Sequence, residues 1–238
     1  MTDALNTPFK RVLFKLSGEV LGDQALLPQV CEQLAHLQPQ LSLVLVVGGG
    51  NVFRGRSSTY HNASPALCDG IGMCASMMNA LNLCAELQER KLPVRVITPF
   101  PLAGLTKDFD PEVAEKDLRE RRILVVGGGA GLPYVTTDTS AVLTALRARC
   151  EIVLKGSNVD GIFEADPKVK PDARFLPHLT YEDVRRQNLT PMDQTALALA
   201  ETHRMPLRIF NLAHQDALVQ VLEGKPPFSH VEQTKSHV

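Results

Sequence analysis

The chain has 238 residues, of which 44% are hydrophobic and 21% charged, and its formal net charge is -1. This composition is that of an ordinary globular protein with a substantial core, and the near-neutral charge gives no electrostatic reason to expect nucleic acid or an anionic membrane surface as a partner. No apolar run approaches the roughly 20 residues needed to span a bilayer, and residues 1–11 lack the apolar core of a secretory signal. We therefore expect a soluble, cytoplasmic protein with neither membrane nor nucleic acid as a partner.

Strands and helices are predicted to alternate along the chain. Short apolar or β-branched runs predict strands, and apolar residues at helical spacing predict helices. The predicted strands are 10–16, 42–47, 94–98, 123–126, 152–155 and 207–211. The predicted helices are 28–37, 64–89, 111–122, 139–149, 181–187, 192–203 and 215–222. This order indicates an α/β fold, a three-layer sandwich with a mostly parallel central sheet and helices on both faces.

The domain organisation is predicted to be simple. No internal repeat and no linker interrupts the alternation, so residues 1–238 are expected to form a single domain. The stretch after Gly224 is polar and contains Pro226 and Pro227, which predicts a partly disordered tail over 225–238.

The longest predicted helix, 64–89, carries a methionine-rich apolar stripe. Its members are Met73, Met77, Leu81, Cys84 and Leu87. Such a stripe is far more typical of a core or subunit interface than of a cofactor site.

Cysteine and histidine spacing predicts no metal site. The five cysteines include no Cys-x-x-Cys pair, and the seven histidines include no His-x-x-x-His pair. We expect the cysteines to be buried small hydrophobic residues in a reducing compartment. They are Cys31, Cys68, Cys74, Cys84 and Cys150.

Four predicted strands end in turns suited to a bound anion. These turns are 15–18, 48–54, 127–138 and 155–161, and the first two carry Lys15 and Arg54. Because ligands of open α/β sheets bind at the carboxyl ends of the strands, the four turns are expected to converge. Glycines allow close backbone approach, and a helix N-terminus attracts negative charge. The sequence therefore predicts a phosphate-handling crevice at this edge of the sheet.

Two residues in these turns have simpler structural interpretations. Asp138 stands where a helix begins and is predicted to be its N-cap, which does not exclude a second role. Asp160, followed by Gly161 between apolar residues, predicts a hairpin.

Two common nucleotide motifs do not explain the crevice. The sequence has no Gly-x-x-x-x-Gly-Lys-Ser/Thr motif, which excludes a P-loop enzyme. The run from Gly70 to Ala75 matches a dinucleotide fingerprint by letter only, because no strand is predicted before it.

The motifs together closely resemble those of the bacterial uridylate (UMP) kinases, a branch of the amino-acid kinase fold family. They occur in family order from about Lys10 to Gly224. They are 15–19, 48–55, Asp69 with Gly72-Met73 and Met78-Asn79, 131–134, 136–139, 159–161, 165–167, Met192-Asp193 and 208–211.

The resemblance implies phosphoryl transfer from Mg-ATP to UMP, giving UDP, as a step of pyrimidine nucleotide synthesis. It also implies that the protein is a cytoplasmic homohexamer. It implies that about 10–140 forms the UMP side and about 141–224 the ATP side. By motif, the catalytic residues would be Lys15, Arg54 and Asp138. The ATP-binding residues would be Lys15, Leu16, Ser17, Gly18, Gly50, Arg54, Ser157, Phe163 and Asp166. The UMP-binding residues would be Gly49, Asp69, Ala130, Gly131, Leu132, Pro133, Tyr134, Val135, Thr136 and Thr137, with Asp69 on the ribose.

The chemistry of this reaction agrees with those residue types. The second pKa of a phosphate monoester is about 6, so the accepting oxygen is already ionised at neutral pH and needs no general base. The difficulty is to bring two anions together, which positioned cations relieve. Lys15 and Arg54 suit that role with nucleotide-bound Mg²⁺, and Asp138 is expected to orient Lys15. The role of Asp193 is left open: it is either a residue at a helix N-terminus or one that contacts a ligand.

The sequence departs from the family pattern at three places. Ala130-Gly131-Leu132-Pro133 stands where many members have Thr-Gly-Asn-Pro, which removes two polar side chains near the expected uracil site. The segment after Glu19 is short, and it often contributes to nucleotide regulation, so activation by GTP and inhibition by UTP are left open. The usual closing strand Gly-Thr-x-Ile is missing after Gly224.

Two rival functions are weighed against this interpretation. One is another kinase of the same fold, acting on acetylglutamate, aspartate, carbamate or isopentenyl phosphate. The other is a non-catalytic nucleotide-binding or storage protein on that fold, as in molybdenum storage proteins. Asp69 and Thr136-Thr137-Asp138 resemble the UMP branch, and retention of Lys15 and Arg54 argues against loss of catalysis.

Overall fold

The computed structural model describes residues 4–54, 60 and 62–234. Within them, eight strands form one sheet in the order β3-β4-β2-β1-β5-β7-β8-β6. The strands are β1 Arg11–Leu16, β2 Ser42–Val47, β3 Val94–Ile97, β4 Ile123–Val126, β5 Val153–Ser157, β6 His178–Thr180, β7 Leu207–Asn211 and β8 Phe228–Glu232. All neighbours pair in parallel except β7 and β8, which are antiparallel. The predicted mostly parallel sheet is confirmed.

Helices cover both faces of this sheet. They are α1 Gly18–Gly22, α2 Leu26–Leu37, α3 Pro65–Glu89, α4 Pro111–Arg119, α5 Thr137–Arg147, α6 Tyr181–Arg186, α7 Gln194–Thr202 and α8 Ala217–Leu222. One apolar cluster joins α1, α2, α3 and α8 to one face, and a second joins α4, α5, α6 and α7 to the other. The three-layer architecture predicted from the alternation is therefore confirmed.

The central strands are buried from both sides. Every residue of β2 is buried, as expected for a parallel strand between two helical layers. In β1, Phe14 faces the first cluster and Leu13 the second, because successive side chains of a strand point to opposite faces. This packing fixes the register in which the functional turns leave the sheet.

The prediction that the chain after Gly224 forms a partly disordered tail without a closing strand is wrong for 228–232. That segment is β8, which lies between β7 and β6. Phe228 and Val231 are buried as in other strands, but Ser229 and His230 interrupt the apolar pattern. The local sequence signal for a strand is therefore weak, and pairing with β7 and β6 orders this segment. Residues 235–238 lie outside the described residues.

The hairpin predicted at Asp160-Gly161 is also wrong. The described partners of β5 are β1 and β7, and both are parallel to it. Asp160 instead accepts a hydrogen bond from Asn211 Nδ2 at 3.0 Å and lies 2.8 Å from His214 Nε2. The dipeptide marks a loop held by the end of β7, because Asp-Gly favours turns in general and not hairpins alone.

Helix α3 contains the fingerprint-like run from Gly70 to Ala75, which confirms that the match is accidental. Of the predicted stripe, Leu87 is buried, whereas Met73, Met77, Leu81 and Cys84 are half-buried. The buried face of α3 is offset from the stripe, and it includes two polar residues that belong to the site described below. No helix in the described part of the chain combines the length and hydropathy needed to cross a membrane.

Candidate active site

The four anion-type turns lie at one edge of the sheet. They follow β4, β2, β1 and β5, which are consecutive neighbours and all parallel. Parallel strands present their carboxyl ends on the same side, so the turns meet there. The predicted convergence is confirmed.

Two lysines and one aspartate form the centre of this edge. Lys15 of β1 and Lys155 of β5 occupy paired positions on adjacent strands, so their side chains leave the same face. Lys15 Nζ lies 3.1 Å from Asp138 Oδ1, and Lys155 Nζ lies 2.7 Å from Asp138 Oδ2. All three side chains are less than one-fifth exposed. One carboxylate therefore holds two cationic side chains at a fixed separation.

The Lys155 ammonium group has two partners. Besides Asp138, its Nζ donates to the carbonyl oxygen of Pro191 at 2.6 Å. Burial lowers the pKa of Lys155 from its ordinary value, Asp138 opposes that shift, and nearby Lys15 adds to it. Two ammonium groups therefore share the Asp138 carboxylate, and Asp193 adds a second negative charge to the lining of the same cavity.

Helix α5 begins at this cluster. Asp138 was predicted to be its N-cap, and that prediction is wrong. Thr136 is the N-cap, and its hydroxyl oxygen accepts from the backbone N–H of Asp138 at 3.1 Å. Asp138 is the second residue of the helix, which leaves its carboxylate available to the lysines. A threonine two residues earlier supplies an equally good cap, so the composition alone could not separate the two.

Asp193 ties α7 to the start of α5. It is the N-cap of α7, and its carboxylate accepts hydrogen bonds from the hydroxyls of Thr136 and Thr139. Burial raises the pKa of Asp193, but these hydrogen bonds and the backbone N–H of Ala196 outweigh it, so the pKa lies below its usual range. Asp193 is thus a charged helix-terminal residue whose contacts reach the functional turn.

The glycines allow the turns to pack against other backbone segments. A Cβ on Gly49 would lie 2.7 Å from the carbonyl oxygen of Gly72 and from the backbone nitrogen of Ser76 in α3. Gly131 has a φ of +75°, and a Cβ there would lie 2.6 Å from Pro99. Larger residues at either position would displace the turn.

Two buried polar residues of α3 hold the turns after β2 and β4. Ser76 donates to the carbonyl oxygen of Val47 at 2.7 Å and accepts from the N–H of Gly128 at 3.0 Å. Asn79 donates to the carbonyl oxygen of Gly48 at 2.7 Å. Since buried polar groups require partners, these two residues specify where the turns sit.

Two neighbouring cavities adjoin the N-terminus of α5, and the cluster lines one of them. The glycine-turn cavity, of about 700 Å³, is lined by Gly49, Gly50, Phe53, Tyr60, Ala63, Pro65, Cys68, Asp69, Gly72, Met73, Ser76, Gly129, Tyr134, Val135, Thr136 and Thr137. The lysine cavity, of about 520 Å³, is lined by Lys15, Thr136, Thr137, Asp138, Lys155, Thr190, Met192, Asp193 and Gln194. Thr136 and Thr137 belong to both linings, so the two spaces meet at the N-terminus of α5.

Most residues predicted to bind UMP lie at the glycine-turn cavity. Gly49, Asp69 and 134–137 line it, whereas 130–133 do not. Asp69 accepts from the N–H of Tyr134 at 2.7 Å, which joins α3 to the loop after β4. The Leu132 side chain is exposed and offers no polar group there.

The residues predicted to bind ATP are more dispersed. Lys15 lines the lysine cavity and Gly50 the glycine-turn cavity. Leu16 is fully buried, so only its backbone is available, and its carbonyl oxygen accepts from the N–H of Gly48. Arg54 forms an ion pair with Glu19 and donates to the carbonyl oxygen of Gly50 at 2.9 Å.

The remaining ATP-side residues belong to or follow β5. Ser157 ends the strand, and its hydroxyl accepts from the N–H of Val159 at 2.9 Å. Phe163 packs its ring edge-on against Phe175 with centroids 5.3 Å apart. Asp166 accepts from the N–H of Lys168 at 2.9 Å and so shapes the next loop. These residues lie outside the linings of the two cavities.

Lys155 was not predicted from the sequence to be a member of this cluster, and the role of Asp193 was left open. Lys155 stands in a predicted strand-ending turn, and a lysine in an otherwise apolar strand was the signal that could have singled it out. Ser76 within the apolar face of α3 is a similar signal.

The described residues include no group of three or more His, Cys, Asp or Glu side chains able to hold a metal ion. The carboxylates of Asp138 and Asp193 are occupied by lysines and hydroxyls. No residue is therefore assigned to a metal.

Comparison with known proteins identifies the class to which this fold and site belong. The model of the amino acid kinase family matches residues 10–211. The chain belongs to the amino acid kinase family.

Within that family, the chain is similar to proteins named uridylate kinase or UMP kinase. The chain is 32% identical to the uridylate kinase of Rickettsia canadensis over 98% of its own length and 100% of that protein. It is 36% identical to the uridylate kinase of Legionella pneumophila over 91% of each. A crystal structure of UMP kinase from Ureaplasma parvum matches with a TM-score of 0.90 at 31% identity, over 94% of this chain and 99% of that one. A crystal structure of the UMP kinase from Bacillus anthracis matches with a TM-score of 0.89 at 32% identity, over 94% of this chain and 96% of that one.

Proposed function

We propose that the protein is a nucleoside monophosphate kinase that transfers the γ-phosphoryl group of ATP to UMP, giving UDP and ADP for pyrimidine nucleotide synthesis. The observation that carries this proposal is the Lys15–Asp138–Lys155 cluster, which lines the lysine cavity where that cavity meets the glycine-turn cavity at Thr136 and Thr137. Two cavities that meet at the N-terminus of α5, one of them lined by two lysines, suit two phosphate-bearing substrates placed end to end. The named relatives match over nearly the whole chain, which supports UMP as the acceptor.

The reaction needs positioning and charge more than proton transfer. The UMP phosphate is largely ionised at neutral pH, because its second pKa is about 6. No general base is therefore required, and the barrier reflects the approach of two anions and the charge of the transferring group. Fixed cations in a partly buried site lower that barrier without reorganising.

Lys15 and Lys155 are proposed to hold the transferring phosphoryl group from the sheet side. Asp138 holds both ammonium groups beside the lysine cavity, and it removes no proton. Arg54 would contact the ATP phosphates from the turn after β2. Its ion pair with Glu19 involves exposed side chains, so exchange of the carboxylate for a phosphate is inexpensive.

The glycine-turn cavity is proposed to hold UMP. Gly49 allows close backbone approach, Thr136 and Thr137 place the nucleotide phosphate at the N-terminus of α5, and Asp69 faces the ribose. The loop 130–135 would enclose the base through backbone groups, because Ala130 and Leu132 have no polar side-chain atoms. Ser17, Gly18 and Gly50 would lie at the ATP phosphates, and Ser157, Phe163 and Asp166 at the adenosine.

Mg²⁺ that accompanies ATP neutralises phosphate charge when bound. We further propose a homohexamer located in the cytoplasm, with GTP and UTP as candidate effectors. These assignments rest on the family resemblance.

A panel of acceptors tests the function. ADP release is measured in a coupled assay with UMP, CMP, AMP, GMP, acetylglutamate, carbamate and isopentenyl phosphate. Turnover that depends on UMP, at least about tenfold above any other acceptor in kcat/KM, is expected. Turnover with acetylglutamate or isopentenyl phosphate alone would favour the rival kinases, and ATP binding without any acceptor turnover would favour a storage protein.

A further inference from the structure

The last strand of the sheet reaches the loop that follows β5. Ser229 of β8 is fully buried. Its hydroxyl oxygen accepts from the backbone N–H of Ile162 at 2.7 Å, and its hydrogen is donated to the carbonyl oxygen of Leu176 at 2.7 Å. One side chain thus joins two backbone segments that are separated by about a dozen residues.

These two backbone groups would be unsatisfied without the hydroxyl. Leu176 donates its own N–H to the carbonyl oxygen of Ile162 at 2.8 Å, so the segments already share one ladder bond. The reciprocal bond, from the N–H of Ile162 to the carbonyl oxygen of Leu176, is replaced by the inserted hydroxyl. A buried backbone donor and a buried acceptor both depend on Ser229, and leaving either unpaired is costly.

The space for this hydroxyl exists because residue 161 is glycine. A Cβ on Gly161 would lie 2.4 Å from Ser229 Oγ and 2.8 Å from the backbone nitrogen of Ser229. The loop after β5 therefore lies directly on the backbone of β8. A larger residue at 161 would separate the two.

The bridge ends next to an aromatic pair. Phe163 follows Ile162 and Phe175 precedes Leu176, and the two phenylalanines form an isolated antiparallel bridge. Their rings pack edge-on with centroids 5.3 Å apart. The two hydrogen bonds of Ser229 consequently determine where the backbone, and with it the Phe163 ring, is held.

We infer that Ser229 is a positioning residue for the adenine nucleotide, acting through Phe163. The inference rests on the proposed function, in which Phe163 contacts the adenosine. Ser229 itself touches no substrate; its hydroxyl fixes the loop so that the Phe163 ring is ordered before the nucleotide binds. The strand that sequence analysis did not find therefore contributes to the nucleotide site.

Ser229→Ala tests the inference, with Ser42→Ala as the matched control. Ser42 is a buried serine of β2 whose hydroxyl also bonds a carbonyl oxygen, that of Leu118 at 3.0 Å, away from the loop after β5. We expect Ser229→Ala to weaken ADP binding, measured by calorimetry, and to raise the KM for ATP by about five- to tenfold, with kcat and the KM for UMP within about twofold. Ser42→Ala should leave all four values unchanged. Equal behaviour of the two variants would overturn the inference.

Two further variants separate positioning from a general loss of stability. Ser229→Thr retains the hydroxyl and should bind ADP within about twofold of wild type, which also keeps the inference testable if Ser229→Ala does not fold. In a double-mutant cycle, Ser229→Ala combined with Phe163→Ala should weaken ADP binding by less than the product of the single effects. Fully multiplicative effects, or weak binding by Ser229→Thr, would contradict the inference. If wild type neither binds ADP nor phosphorylates UMP, the proposed function fails instead.

Discussion

Asp138 is the residue on which the geometry of the site depends most. Its two carboxylate oxygens face different lysines, so its negative charge sets the spacing of two positive groups. An uncharged amide of the same shape would fill the same space with one acceptor oxygen and no negative charge. Charge and shape can therefore be separated experimentally at this position.

Asp138→Asn should lower kcat well over tenfold while the protein stays folded, because the lysines lose the carboxylate that orients them. Steady-state kinetics and circular dichroism measure the two effects. Asp110→Asn, at the N-cap of α4, is the matched control and should retain activity. An unchanged kcat for Asp138→Asn would leave Asp138 with a structural role only.

Lys155→Met should lower kcat by about 10²-fold, since it removes one of the two cations proposed to hold the transferring phosphoryl group. Lys116→Met on α4 is the control, because Lys116 is highly exposed and distant in the fold from the cluster. If Lys155→Met retained wild-type kcat, Lys15 alone would supply the charge and the two-lysine arrangement would have no catalytic role.

At the scale of elements, an ion pair connects α4 to the first strand of the sheet. Arg11 Nη1 of β1 lies 2.8 Å from Glu115 Oε2 of α4. The hydrogen bond from Arg11 lowers the pKa of Glu115 from 4.5 to about 2, and Arg119 contributes in the same direction. The contact is partly exposed, so its contribution to the free energy of unfolding is modest.

This lowered pKa predicts how stability depends on pH. The folded state binds the Glu115 proton more weakly than the unfolded state, so the stabilisation is present above pH 4.5 and is lost as the pH falls towards about 2. Urea unfolding of wild type and Glu115→Gln should therefore differ at about pH 6 and converge near about pH 2. A difference that grows on acidification would contradict this assignment.

The central strands and their turns could be predicted from sequence because their signals are local. The run Leu43 to Val47 is apolar throughout and ends at three glycines, so strand, burial and turn follow from neighbouring residues. The predicted bounds of β2, β4 and β7 agree with the structure. The edge at which the turns meet follows from parallel pairing alone.

Features that depend on tertiary contacts could not be predicted. Strand β8 is ordered by pairing with β7 and β6, although Ser229 and His230 weaken its pattern. The ion pair between Lys155 and Asp138 depends on the register of β1 with β5 and on where α5 begins. No local sequence pattern specifies either. The N-cap at Thr136 was missed because Asp138 offers equivalent capping chemistry two residues later.

At the scale of the whole molecule, the end of the chain completes the sheet. Among the described strands, β6 pairs only with β8. A stop after Gly224 removes β8, leaves β6 unpaired and removes Ser229 from the loop after β5. We expect this truncation to lower Tm strongly and abolish ADP binding, whereas a stop after Thr234 keeps β8 and should preserve both.

The oligomeric state is a separate whole-molecule prediction. One chain has a mass of 26.1 kDa, and native mass spectrometry should give six times that value for the proposed homohexamer. A monomer or dimer at micromolar concentration would contradict the hexamer without affecting the proposed chemistry.

The two cavities are proposed to bring two phosphates together for direct transfer. Product analysis by ³¹P nuclear magnetic resonance, with ATP and UMP supplied together and separately, tests this directly. UDP and ADP are expected in equal amounts when both substrates are present, and neither product is expected from ATP alone. Release of inorganic phosphate in place of UDP, or no UDP at all, would contradict it.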